Sequence, residues 1–162
     1  MHEKPNILTE RVDDMPLLLA QMDRMGLATL LDAHVPTHGN WQVLPLGRVM
    51  TLWLSSMLSR GDHRLVHGEP WVAQRQITLS QVTGDVVRAH ELSDDRLDIA
   101  LRLLSDASRW TAFESTLNQQ LVRVYDLRAE RVHVESTSAS TYAGVSAEGL
   151  FQCGHSKDHR PD

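Results

Sequence analysis

The sequence predicts a mainly α protein: a helical domain over residues 1–128, followed over residues 129–162 by an incomplete β-hairpin that begins a second domain. Three observations predict it. Apolar residues recur at helical spacing through the first 128 residues, with Gly and Pro between the runs. From Arg131 the period changes to two, Val132 and Val134 on one face and Arg131, His133 and Glu135 on the other. The composition, 41% hydrophobic and 23% charged over 162 residues, is that of a soluble globular protein with material for a core.

The helices follow in order. Asp13 and Asp14 precede MPLLLAQMDRMG, which places Leu17, Leu18 and Met22 at apolar positions and ends at Gly26, a residue suited to a left-handed cap. LATLLDAH reads as a second short helix. HVPTHGNWQVLP, with Pro36, Gly39, Asn40 and Pro45, reads as a loop. LGRVMTLWLSSMLSRG is apolar around most of its circumference, which predicts a central, mostly buried helix capped by Gly61. After a polar bend, DHRLVHGEP, a further single helix is expected over WVAQRQITLSQVTG, closed by Gly84.

Ser93 is a good N-cap, and Asp94 and Asp95 stand in the following turn, where the helix dipole favours acids. That helix sets Leu97, Ala100, Leu101 and Leu104 on one stripe. Ser105 and Asp106 open the last helix, whose Trp110, Phe113, Leu117 and Leu121 are expected in the core with the other tryptophans and methionines. Beyond Arg131 the expectation is a strand over 131–136, a loop through Ala147, Glu148 and Gly149, and a second strand near Leu150–Gly154. Two strands make no independently stable domain, so they read as the first hairpin of a larger sheet.

Charge and motif content exclude several functions. The formal net charge of −5 gives no general attraction to nucleic acid or an anionic membrane. Arg60, Arg64, Arg75 and Arg88 are interleaved with acids and read as solvated surface. The single Cys153 rules out an internal disulfide and a Cys-rich zinc site, which suits a reducing cytoplasm. MHEKPNILTE has no apolar signal core, and Leu44 to Leu58 is too short and interrupted to span a bilayer, so no membrane association is expected. Three histidine pairs, His34/His38, His63/His67 and His155/His159, have a spacing that a helix would align, but they lie in or near irregular segments. No nucleophile elbow and no glycine-rich phosphate loop is present.

Glu135 is the one candidate catalytic and metal-binding residue. It stands where an alternating run gives way to Ser136, Thr137, Ser138 and Ser140. A carboxylate in that setting can hold Mg²⁺. It can equally be an exposed strand charge.

ILTERVDDMPLLLAQMDRMGL, PTHGNWQ, LSDDRL, RVHVESTSAS and GLFQCGHSKDHRPD, in that order, resemble bacterial insertion-sequence transposases of the DDE type. The similarity is to the insertion-sequence-four-like group, over about Ile7 to Asp162. It implies a helical N-terminal domain of unknown function followed by the start of a truncated RNase H-like α/β core. It further implies that Glu135 occupies the position of the first Asp of a metal-binding acidic triad, with Ser136-Thr137 and Lys157-Asp158 matching neighbouring family positions. The implied cofactor of intact relatives is Mg²⁺, with none expected in this fragment; the implied partners are transposon-end DNA, a second copy, or a full-length transposase. Glu in place of Asp, and a chain that ends before the other two acids, imply a catalytically inactive remnant. The alternative is a non-catalytic DNA-binding or dimerisation module that regulates a full-length transposase.

Overall fold

The computed structural model describes residues 9–127 apart from Asn40 and Gln42, and helices dominate them. Helix α1 (Met15–Arg24) carries Pro16 in its first turn, where a missing backbone N–H costs little. Gly26, at φ 69°, turns the chain out of α1 and directly into α2 (Leu27–His34). The loop through Pro36 then leads to α3 (Leu46–Arg60), which ends at left-handed Gly61.

Nine of the fifteen α3 residues are buried, as its wide apolar face predicts. Its approach to α2 depends on Gly47. A Cβ there would stand 2.0 Å from the Ala28 carbonyl oxygen, so only glycine lets the two backbones come this close. Asp32 of α2 fastens the same contact, its Oδ1 accepting from the Gly47 N–H at 2.7 Å. That bond satisfies one of the free amides in the first turn of α3, whose N-cap residue Pro45 has no side-chain acceptor.

The stretch expected as one helix from Trp71 to Gly84 is two. A 3₁₀ turn (Leu65–His67) leads into α4 (Gly68–Ala73), and α5 (Gln76–Thr83) begins after a break at Gln74 and Arg75. Arg75 leaves helical geometry at φ −138°, and although its carbonyl accepts from Leu79 N at 2.8 Å, its side chain provides no cap for the first amides of α5. Glu10, distant in sequence, takes over: its carboxylate oxygens accept from Ile77 N at 3.0 Å and Thr78 N at 2.7 Å. A second 3₁₀ turn (Ala89–Leu92) precedes α6 (Asp94–Leu104). Helix α7 (Ala107–Val124) is opened by Asp106, which accepts from Ser108 N and Arg109 N. Met15, Leu19, Val49, Leu52, Val72, Leu79 and Leu97 are fully buried and form the centre of the core around Trp71.

Of the described residues 71% are helical and none lies in a strand or bridge. The mixed fold class is corrected accordingly: the described chain is all-α, without the expected incomplete β-hairpin or any part of a truncated RNase H-like α/β core. The recognition as a DDE-type transposase carrying the start of that core is corrected with it. Physically, the expectation rests on a five-residue alternation and one short second run, too little to sustain a sheet alone. The described elements are helices, whose backbone groups pair internally and offer no strand edge to extend. Residues 131–136 and 150–154, on which the hairpin was placed, lie outside the described residues. By contacts the chain divides into Met1–Leu127 and Arg128–Asp162.

Candidate interaction groove

Four helices leave an apolar cavity between them. Leu31 of α2, Met50 and Trp53 of α3, Leu104 of α6, and Trp110 and Phe113 of α7 are among the residues around a volume of about 510 Å³. The stripe from Trp110 to Leu117 faces this space, which is why it reads as core in the sequence. The structure covers only part of it: Phe113 is buried, whereas Trp110 is 45% exposed at the rim. The two rings meet at 5.4 Å between centroids, tilted by 48°, so Phe113 orients Trp110 from below. At the far end of α7, the Tyr125 hydroxyl accepts from Gln21 Nε2 and its ring lies beneath the Arg24 guanidinium.

A second cavity, of about 1020 Å³, is polar and lies where the N-terminal segment meets α4 and α5. Glu10, Arg11, Asp13, Arg60, His67 and Arg75 border it. Its charges offset one another. Asp13 lies 2.7 Å from Arg11 Nε and 3.6 Å from Arg75 Nη2, and the Arg11 hydrogen bond holds its carboxyl below the usual range. Burial opposes ionisation of Glu10, but the Thr78 hydroxyl and the Thr78 and Ile77 amides outweigh it, with Arg75 adding attraction, so this carboxyl is also lowered. Asp62 pairs with Arg64 and approaches His67 Nδ1 at 2.6 Å, and the Arg64 contacts hold it well below the carboxylate range. Arg75, expected on the surface, is instead buried, its guanidinium 5.1 Å from the Trp71 ring centroid.

The third polar cluster joins two distant segments. Arg96 stacks on Trp41, with Cζ 4.4 Å from the ring centroid, and donates through Nη2 to the Leu44 carbonyl at 2.9 Å. Glu91 is completely buried, 3.1 Å from Arg96 Nη2 and 3.5 Å from His90 Nε2. These contacts satisfy charge by proximity; neither Glu91 oxygen has a partner in hydrogen-bond geometry. Burial lowers the Arg96 pKa and the Glu91 charge acts against that shift.

Among the described residues no three His, Cys, Asp or Glu side chains gather where a metal ion could sit. The His34/His38 and His63/His67 pairs therefore assemble no ligand set there, and His67 is engaged with Asp62. Glu135, Ser136-Thr137, Lys157-Asp158 and His155/His159 lie outside the described residues. The sequence did not disclose Glu10, Arg75, Glu91 or the exposure of Trp110. Only Arg75 had a local signal, its position four residues after Trp71. No described helix is long and apolar enough to cross a membrane.

The described residues thus define a helical domain with an apolar groove open to solvent. The sequence pattern of one family, described as a domain of unknown function (DUF4277), matches residues 7–117. That is more than half of the chain, and the chain belongs to this family. The family is found in proteins associated with insertion-sequence transposases, a link that holds at that coarse level. No curated protein and no solved structure matches the chain.

Proposed function

We propose that the helical domain is a non-catalytic assembly module of insertion-sequence transposases, pairing with a second copy of itself through the groove that Trp110 borders. The observation that carries this reading is an exposed tryptophan at the mouth of a cavity lined by Leu, Met, Trp and Phe side chains. Large aromatic anchors beside unfilled apolar pockets are where association energy concentrates, and contiguous exposed apolar surface is otherwise avoided. The family's association with transposases supports the setting.

DNA binding has less support. Among the described residues Asp and Glu outnumber Arg, and there is no Lys. Arg11, Arg48, Arg64, Arg75, Arg96, Arg102 and Arg109 all pair with carboxylates. Such residues have little charge left for displacing counterions from a phosphate backbone.

Sedimentation equilibrium of the full chain tests the proposal. The expected result is a concentration-dependent dimer that Trp110→Glu converts to monomer without unfolding. A monomer at every concentration, or a dimer indifferent to Trp110→Glu, would sink it. A salt-dependent gel shift at near-physiological ionic strength would instead favour the DNA-binding form of the module.

A further inference from the structure

The polar cavity beside α4 and α5 takes no part in the pairing proposed through Trp110, and its cations and acids are matched unevenly. Two arginines bordering this space of about 1020 Å³ come from different elements, Arg60 from the end of α3 and Arg75 from the break before α5. The acids near them are already engaged. Glu10 gives both carboxylate oxygens to the Ile77 and Thr78 amides. Asp13 is bound to Arg11 Nε at 2.7 Å, and Asp62 to Arg64 at 2.9 Å and His67 at 2.6 Å. Arg75 is left with two long contacts, Asp13 at 3.6 Å from Nη2 and the Trp71 carbonyl at 3.3 Å from Nη1. Charge-assisted hydrogen bonds to a guanidinium ordinarily fall near about 2.8 Å. A side chain only 10% exposed therefore keeps donor capacity that its protein partners do not use. Arg60 has no carboxylate within ion-pair distance among the described residues.

We propose that this cavity binds a small molecule carrying one oxyanion group, a carboxylate or a phosphate, with Arg75 as its anchor and Arg60 as its second cationic contact. Arg75 lies with Cζ 5.1 Å from the Trp71 ring centroid, so the stack fixes the plane of the guanidinium before any ligand arrives. A fork held in this way loses little side-chain freedom on binding. A cation withdrawn from water also gains more from an anion than an exposed one does. Arg60, which is exposed, adds charge from the α3 side. The lining sets the charge of the ligand. Three arginines, Arg11, Arg60 and Arg75, stand against two acids, Glu10 and Asp13, which leaves one positive charge to be met. Pro70, Ala73 and Ile77 border the same space and offer contact to a short apolar body. A cavity with mixed walls and a few fixed polar groups is the usual form of a small-molecule site.

Nuclear magnetic resonance titration of the full chain tests the site, with sodium phosphate and sodium acetate added separately at an ionic strength held constant by chloride. The Trp71 indole N–H, a buried donor without a protein acceptor beside the Arg75 guanidinium, is the reporter, and Trp71→Phe assigns its signal. The expected result is a saturable shift of the Trp71 indole and Arg75 Nε–H signals with at least one of the two anions. Whichever saturates at the lower concentration names the group that the cavity takes. Arg60→Gln, a replacement on the surface, should weaken that affinity about fivefold, the loss of one exposed ion pair. Arg75→Gln should abolish saturation; if that variant does not fold, the Arg60→Gln comparison decides. No saturation with either anion, equal shifts on adding chloride alone, or an unchanged affinity in Arg60→Gln would overturn the proposal. Failure here leaves the pairing through Trp110 untouched, because the two sites share no lining residue.

Discussion

Helices α3 and α7 are the two longest in the described chain, and both carry an apolar stripe, yet they are held in opposite ways. Helix α3 buries nine of its residues and packs against α1, α2, α4 and α6. Helix α7 runs for eighteen residues with Phe113 alone fully buried, and packs on α2 and α6. Helix α3 draws its stability from the side chains along its length. Helix α7 draws more from its ends, through the Asp106 cap and the Tyr125 contacts with α1. A stripe at helical spacing therefore says which face a helix turns inward, and leaves open whether anything covers that face.

The sharpest way to break this comparison is to truncate one buried side chain in each helix. Leu52→Ala removes a side chain enclosed on every side, and should cost about 3 kcal/mol. Phe113→Ala removes a larger side chain, but one whose site already opens into the groove, and should cost no more than Leu52→Ala, about 3 kcal/mol at the low end for a buried aromatic. Urea denaturation of both variants provides the measurement. If Phe113→Ala proves the more costly, the groove is not the open surface described, and α7 is a core helix like α3.

The same contrast explains what the sequence disclosed. Five helical starts and the caps at Gly26, Gly61 and Gly84 were legible because they depend on local backbone preference and on spacing within one segment. The division of α4 from α5 was not, because the group that completes α5 is Glu10, more than sixty residues earlier. Trp110 was read as core for a related reason: periodicity places it beside Phe113, and only the tertiary arrangement decides that no further helix covers it. The β-hairpin rested on a still shorter pattern, a five-residue alternation with one short second run, and its residues lie outside the described ones. Within the candidate groove the lining residues were foreseen as apolar, but their opening to solvent was not.

Smaller effects test whether the ends of α7 matter as the comparison requires. Asp106→Ala leaves Ser108 N and Arg109 N without their acceptor and should destabilise less than Phe113→Ala, with a loss of helical circular dichroism before the main thermal transition. A cap in α7 should fray on its own; a single cooperative loss would mean that α7 is bound into the core more firmly than its burial indicates.

Acid should act in the same order. Glu10 and Asp106 both have lowered folded pKa values, Asp106 chiefly through the Ser108 hydroxyl. Each contributes stability at pH above its ordinary unfolded value and loses it as pH falls through the lowered folded one. The thermal midpoint should therefore decline on acidification below about pH 4. Glu10→Gln should make that decline shallower, and an identical profile in the variant would show that the α5 cap contributes nothing measurable.

Trp110→Ala should have the smallest effect on the isolated domain, within about 0.5 kcal/mol, because the ring is nearly half exposed and its removal leaves Phe113 seated. Its consequence belongs to association instead. If Trp110 anchors a second copy, the variant should keep the monomer's urea midpoint and lose the concentration dependence of its thermal midpoint, since a partner that binds only the folded state stabilises it by mass action. Stability measured across protein concentration separates the two roles in one experiment. A large loss at every concentration would place Trp110 with the α3 side chains, as a residue that holds the domain together, and would end the distinction between a sealed helix and an open one.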